Sequence, residues 1–343
     1  MRITPSGNRF EVQPDELFFS TTDPKGVIGL TNDVFNRLAR YDRDELRGAP
    51  HNIIRHPDMP GAVFTLMWNL IEAGKPFAGY VRNLASDGDA YDVFATVTPL
   101  PEGRGYLSVR QRPCRDDLYS TAGEIYDDVL AKETELRAGG MNRKQAAQAT
   151  LEMLEHAVKG IGFESYEAFQ DHLMTAEVAA RSTLTDPLPY REGSSEVHLM
   201  LEEIWGEHAI VSAWRDRIEA ESVGTGSTIS PIHAHLARTE IHIDMCGYFL
   251  AELIATGYDE KIGLPGKAMG FASHTIWDEK KEESREERDV RERLESLEML
   301  SEVLYDDVGP LRDYAGSSPA VEELFANIER VHAKVLMFES TTY

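Results

Sequence analysis

The sequence predicts an N-terminal α+β domain followed by an all-α helical bundle. Residues 1 to about 115 mix short, alternating apolar segments with Gly, Pro and Asp punctuation, whereas the remainder repeats its apolar residues at three- and four-residue spacing. At 343 residues the chain is long enough to bury two cores. The change of pattern near 113–118 places the boundary, giving domains of residues 1–115 and 116–343.

The first domain reads in order from its turns. Leu17 to Thr22 has strand character, and Asp23-Pro24-Lys25-Gly26 supplies Pro at the second turn position and Gly at the fourth, so Val27 to Thr31 returns as a second strand. Asn32 then caps a short helix carrying Val34, Phe35 and Leu38. Short helical pieces follow around Asp44 to Leu46 and Pro50 to Ile54. An amphipathic helix runs from Pro60 to Ala73, with Val63, Phe64, Met67, Leu70 and Ile71 on its apolar side and Gly74 as its stop. Three strands close the domain at 77–84, 90–99 and 105–112, turned at Asp87-Gly88 and Gly103-Arg104-Gly105. In the middle one, Tyr91, Val93, Ala95 and Val97 share one face and Asp92, Phe94, Thr96 and Thr98 the other.

Beyond residue 115 the periodicity predicts helices near 116–137, 142–159, 165–184, 195–222, 230–256, 276–306 and 319–338. Breaks are expected at Gly139-Gly140, Gly160, Asp186 to Pro189, Gly224 to Ser227, Gly263 to Gly270 and Gly309-Pro310. The charged run from Asp278 to Asp289 reads as a solvated face. Val290, Leu294, Leu297, Leu300, Val303 and Leu304 form an apolar seam suited to an antiparallel bundle or to a homodimer interface.

Composition narrows the function. A formal charge of -24 and a pI near 4.8 repel phosphate backbones and anionic lipid, so nucleic acid is not an expected partner. Two cysteines, Cys114 and Cys246, make no disulfide framework or zinc site. No signal-peptide core and no apolar run of the ~20 residues needed for a membrane span occurs, and a cytoplasmic location is expected. His235 and His242 share a helix face with Asp244 nearby and His233 just before, but without an HExxH pattern they read as structural or interfacial histidines, and no metal is expected. Nucleophile elbows, phosphate-binding glycine loops, and kinase and cyclase signatures are missing, so no enzyme activity is expected.

The segment Pro50-His51-Asn52-Ile53-Ile54-Arg55-His56-Pro57-Asp58-Met59-Pro60 resembles the stretch that marks PAS domains of the bacterial aerotaxis receptor family. The likeness extends through Ser20 to Asp23, Gly26 to Ile28, Asn32-Asp33 with Phe35, Glu45-Leu46 with Gly48, Phe64 with Trp68, Gly79 with Asn83, and Asp87-Gly88-Asp89 with Tyr91. This resemblance implies a five-stranded antiparallel sheet whose concave face, covered by short helices, encloses a pocket for FAD. The flavin's redox state would then be relayed through the C-terminal helices to a signalling protein partner. That makes the implied function cytoplasmic redox or oxygen sensing in chemotaxis or aerotaxis, by a protein that pairs as a homodimer.

By the same match Asn32, Arg55, His56, Asp58 and Asn83 are the implied cofactor-binding residues, joined by Trp68 and Phe77. Plain readings stand beside these. Asn32 and Asp58 suit helix caps, Arg55 and Asp58 suit an ion pair, His56 suits a turn before proline, and Trp68 and Phe64 suit either pocket wall or core. The chain departs from the family pattern at Phe77, where Trp is usual, at Leu84-Ala85-Ser86, where a basic loop is usual, at Tyr91-Asp92 in place of Tyr-Trp, and at Leu66 in place of Asp. A cofactor-free scaffold or dimerisation protein, or a haem protein using His51 and His56, are the alternatives.

Overall fold

The computed structural model describes residues 3–184, 195–225, 231–255, 285–315 and 319–342. These fall into two compact units, Met1–Asp186 with Ser227–Ala234, and Pro187–Gly226 with His235–Tyr343. The shift of sequence pattern coincides with the end of the last strand, yet the first unit continues well past it.

Five strands build one antiparallel sheet: β1 (Phe18–Thr22), β2 (Ile28–Thr31), β3 (Phe77–Leu84), β4 (Ala90–Pro99) and β5 (Tyr106–Gln111). Their order is β2-β1-β5-β4-β3, so the first and last strands meet in the middle. The turn before β2 forms as its residues dictate: the Asp23 carboxylate accepts from the amides of Lys25 and Val27, and Gly26 takes a φ of 77°. Every strand matches its expected range to within a residue, because alternation and turn chemistry are local signals.

Between β2 and β3 lie α1 (Asp33–Ala39), α2 (Arg43–Leu46), a single 3-10 turn (His51–Ile54) and α3 (Gly61–Glu72). Phe35, Leu38, Ala39 and Leu46 from this layer meet Phe18, Tyr91, Val93 and Ala95 from the sheet in one buried core. Tyr91, Val93 and Ala95 project from the same face of β4, as the alternation requires.

The opposite face of the sheet is covered too. After β5 come α4 (Asp116–Ala138), α5 (Arg143–Ala149), α6 (Leu151–Gly160) and α7 (Tyr166–Leu184). Tyr119 of α4 packs edge-on against Tyr80, which itself packs against Phe94. From α7, Gln170 accepts from the Ala78 amide at 3.1 Å, and Glu177 accepts from the Tyr80 hydroxyl at 2.5 Å. Burial raises the carboxyl pKa of Glu177, while hydrogen bonds from Tyr80 and from the amides of Cys114 and Arg115 oppose that shift.

The expected helix 142–159 is two helices. Thr150 divides them, its hydroxyl bonded to the Ala146 carbonyl and to the Glu133 carboxylate, a side chain competing with the helix ladder. Glu133 also supplies what α3 lacks. No side chain at Pro60 caps that helix, and Glu133, carried on α4, accepts instead from the amides of Gly61 (2.9 Å) and Ala62 (2.8 Å). Gly61 must be glycine here, since a Cβ would stand 2.7 Å from the Cβ of Ala147.

The second unit is helical: α8 (Glu196–Thr225), most of α9 (Pro231–Ala255), α10 (Arg285–Ala315) and α11 (Pro319–Thr342). The break expected at Gly309-Pro310 does not occur, and α10 continues through Pro310 to Ala315. Val308 and Leu311 on either side are fully buried, and two such burials at about 1.5–3 kcal/mol each offset the ~3 kcal/mol cost of an internal proline. The start expected for this helix at 276 and the breaks at Asp186 to Pro189 and Gly263 to Gly270 lie outside the described residues. Leu294, Leu297, Leu300, Val303 and Leu304 are buried within the chain itself, where α10 packs on α11. The seam that suggested a second copy is filled by this chain's own helices.

Several buried polar groups in this unit are paired, although Trp205 Nε1 and His242 Nε2 have no partner among the described residues. Arg215 and Glu240 form an ion pair at 2.5 Å, and His242 Nδ1 meets the Asp307 carboxylate at 2.5 Å. His235 Nε2 lies 2.7 Å from the Asp307 carbonyl oxygen. Among the described residues no group of three or more His, Cys, Asp or Glu side chains is arranged to hold a metal.

Candidate functional site

A cavity of about 210 Å³ lies between the concave face of the sheet and the helical layer. A single water needs only about 10–15 Å³, so the space admits an organic molecule. Each wall follows from an element already described. The alternate residues of four strands face inward: Ser20 and Thr22 from β1, Phe77, Val81 and Asn83 from β3, Ala95 and Val97 from β4, and Tyr106, Ser108 and Arg110 from β5. The 3-10 turn contributes His51, Asn52 and Ile54, with Arg55 just after it. From α3 come Phe64, Met67, Trp68 and Ile71, whose three- and four-residue spacing puts them on one side. Exposed Lys25 and Asn52 mark the opening.

Of the seven residues expected to bind a cofactor, four line this cavity: Arg55, Trp68, Phe77 and Asn83. The Arg55 guanidinium lies 3.6 Å from the centre of the Phe64 ring and reaches toward the carbonyls of Met59 and Pro60. Asn83 is 3% exposed, and its amide nitrogen has no hydrogen-bond partner. Trp68 packs edge-on against Tyr106, and Phe77 stacks on Tyr166.

Asn32, His56 and Asp58 are not on the cavity wall. The Asn32 side chain is saturated: its oxygen accepts from the amides of Phe35 and Phe19, and its nitrogen donates to the Leu17 carbonyl. This is a helix cap that also ties α1 to β1. His56 is buried and its Nδ1 accepts from the Asp58 amide at 3.2 Å, a turn interaction before the start of α3. Burial holds its pKa below the ordinary histidine value, with the nearby Asp58 carboxylate opposing. Asp58 itself is mostly exposed, its carboxylate 3.7 Å from His56 Nδ1.

The sequence reading did not assign Ser20, Ser108 and Arg110 to the site. Arg110 is 3% exposed and donates to Ser20 Oγ at 3.1 Å, and its Nη2 lies 2.6 Å from His51 Nε2. Burial, reinforced by the Arg110 charge, pushes His51 down to about 3, so its ring is neutral and able to accept. Arg110 is itself lowered by burial, to about 10, and stays protonated at neutral pH. Ser108 Oγ is buried without a partner. The signal was present: an arginine alternating with Tyr106 and Ser108 sits on the inward face of a strand whose opposite face carries Leu107 and Val109.

A sheet of order β2-β1-β5-β4-β3, roofed by short helices over one pocket, defines the PAS class. Residues 30–107 match the sequence pattern of the PAS fold family. More particularly, the N-terminal domain is a PAS domain of the aerotaxis-receptor type: the chain is 39% identical over 126 residues to the aerotaxis receptor of Escherichia coli strain K12. That stretch is 36% of this chain, and the chain spans 25% of the length of the receptor. Solved structures with similarity include the PAS domain of a Colwellia psychrerythraea protein (23% identity, TM-score 0.24, 28% of this chain and 85% of that one). Another is the light-oxygen-voltage domain of a blue-light activated histidine kinase of Erythrobacter litoralis (21% identity, TM-score 0.24, 28% of this chain and 91% of that one). Among the described residues no helix is long and apolar enough to cross a membrane.

Proposed function

We propose that the cavity holds a flavin, FAD, and that the chain is a redox- or oxygen-responsive signalling protein that acts by conformation and not by catalytic turnover. The observation that carries this is the cavity's two-sided chemistry. Phe64, Met67, Trp68, Ile71 and Val97 offer apolar surface, while Asn83 Nδ2 and Ser108 Oγ are buried and unmatched. A flat heteroaromatic ring with a polar edge fits both, and buried polar groups without partners cost about 1–3 kcal/mol each until something pairs with them. The likeness to a protein named as an aerotaxis receptor points the same way.

A flavin supplies a ring whose charge and protonation change on reduction. The residues around the cavity connect such a change to the rest of the unit. Arg55 rests on the Phe64 ring of the wall and reaches the carbonyls of Met59 and Pro60, directly before the α3 amides held by Glu133. A shift of the Arg55 side chain therefore bears on the seat of α4 within two residues. Asn83 begins a second route through β3, whose Ala78 amide is held by Gln170 of α7. These helices pass the state to a protein partner, and the full chain pairs as a homodimer.

A haem reading fits less well. Only His51 of the two candidate ligands faces the cavity, and its Nε2 is occupied by Arg110.

Freshly purified protein is expected to be yellow, with one flavin per chain released on denaturation and identified as FAD by chromatography. Background flavin absorbance after FAD-supplemented expression would remove the cofactor from this account. Light scattering that gives the monomer mass at all concentrations would remove the homodimer.

A further inference from the structure

The cavity wall carries a positive charge that nothing in the described protein neutralises. Its described lining contains Lys25, Arg55 and Arg110 but no Asp or Glu. Of these, Lys25 is exposed at the mouth and screened by water, and Arg55 is partly exposed over Phe64. Arg110 differs from both. It is 3% exposed, its polar partners are the neutral Ser20 and His51, and the rings of Phe18 and Phe35 lie 5.9 and 5.2 Å from its guanidinium. The other titratable group acting on it is the neutral phenol of Tyr91.

A buried cation is usually met by a carboxylate, because leaving it unpaired is costly. Here the strand sequence puts Arg110 and the unmatched Ser108 hydroxyl both on the inward side of β5, lining the same cavity as apolar Phe64 and Met67 of α3. Ser20 and the neutral imidazole of His51 fix the guanidinium but add no charge.

We propose that Arg110 is the counter-charge for the occupant of the cavity, and that it sets the reduction potential of a flavin bound there. The proposal rests on the flavin reading above. Two electrons from an added chemical reductant such as dithionite and one proton from solvent leave the reduced ring with one negative charge more than the oxidised ring. A fixed guanidinium at the wall favours that reduced form by direct attraction in a dry site, and it needs no rearrangement to do so. The same charge makes the empty pocket less stable and the filled, reduced pocket more so.

The test uses the full chain carrying Arg110→Met, which keeps length and removes charge, and Arg110→Lys, which keeps charge. Flavin content is read from absorbance, and the midpoint from a dithionite titration against a reference dye. In Arg110→Met the ratio of reduced to oxidised flavin at a fixed potential is expected to fall at least tenfold, a shift of about 30 mV for a two-electron couple. Arg110→Lys should stay within threefold of the parent. A folded Arg110→Met protein that loses flavin where Arg110→Lys retains it also supports the assignment. An unchanged midpoint in flavin-loaded Arg110→Met overturns it. The flavin-stripped proteins give a second reading: thermal unfolding of Arg110→Met should be at or above that of the parent, whereas a clear drop makes Arg110 a structural clamp for Ser20 and His51 and overturns the proposal. A parent protein without flavin defeats the flavin reading itself, a result distinct from an unshifted midpoint.

Discussion

Glu133 offers the sharpest test of how the helices after β5 are fastened to the PAS domain. Its carboxylate, 6% exposed in relative terms, takes hydrogen bonds from the amides of Gly61 and Ala62 and from the Thr150 hydroxyl. Hydrogen bonds to a charged group contribute about 1.5–3 kcal/mol each, and a negative charge at a helix N-terminus adds about 0.3–1 kcal/mol. Removing the side chain forfeits the two amide bonds, since the Thr150 hydroxyl keeps the Ala146 and Ala147 carbonyls, and the loss is partly recovered because Gly61 is half-buried and water can reach it. Glu133→Ala should therefore cost about 3 kcal/mol, and Glu133→Gln, which keeps an acceptor but no charge, about 1 kcal/mol. For a unit of this size each kcal/mol moves the thermal midpoint by about 2–4 °C, so the alanine variant should melt about 6–12 °C lower. Glu135→Ala, which removes an exposed partner of Lys132 two residues further along the same helix, should change stability by no more than about 0.5 kcal/mol. Amide exchange supplies the local readout, because Gly61 and Ala62 lose their acceptor. A Glu133→Ala protein that melts with the parent and keeps those amides protected would refute the reasoning.

Asn32→Ala removes a helix cap and should lower stability by about 1–2 kcal/mol in urea while leaving the content of the proposed flavin unchanged; a folded variant that loses flavin found in the parent would contradict the structural assignment of Asn32. Tyr80→Phe deletes the hydroxyl that donates to buried Glu177, and a loss of about 1.5–3 kcal/mol is expected by denaturation, with no loss pointing to a protonated or solvated Glu177. His51, held down to about 3 when folded, takes up a proton near pH 6.5 only when unfolded, so it leaves the protein fully stable above that pH. Stability should then fall between pH 6.5 and 3 by up to about 1.4 kcal/mol per pH unit, and His51→Gln should flatten that slope; an identical slope in the variant would show that other groups carry it.

The elements of the PAS domain were legible because their signals are carried by neighbours in the chain. Asp23-Pro24-Lys25-Gly26 makes its turn from its own side chains, and Tyr91, Val93 and Ala95 reach the core simply because strand residues alternate. The site was legible only in part. Arg55, Trp68, Phe77 and Asn83 lie on the cavity wall, but Asn32, His56 and Asp58 have local partners within reach and are spent on capping and turns.

From the chain of letters alone came the five strands, the roof of short helices, the helical second half and the strong negative charge. Tertiary structure alone decided that Glu133 caps a helix more than seventy residues away, that the seam from Leu294 to Leu304 is filled within the chain, and that Arg110 has a cavity beside it and no carboxylate partner among the described residues. The reason is physical: alternation and capping act over a few residues, whereas a cavity is the space that strands β1, β3, β4 and β5 and helix α3 leave between them. Whether a charge beside that space is neutralised depends on side chains that only folding brings near.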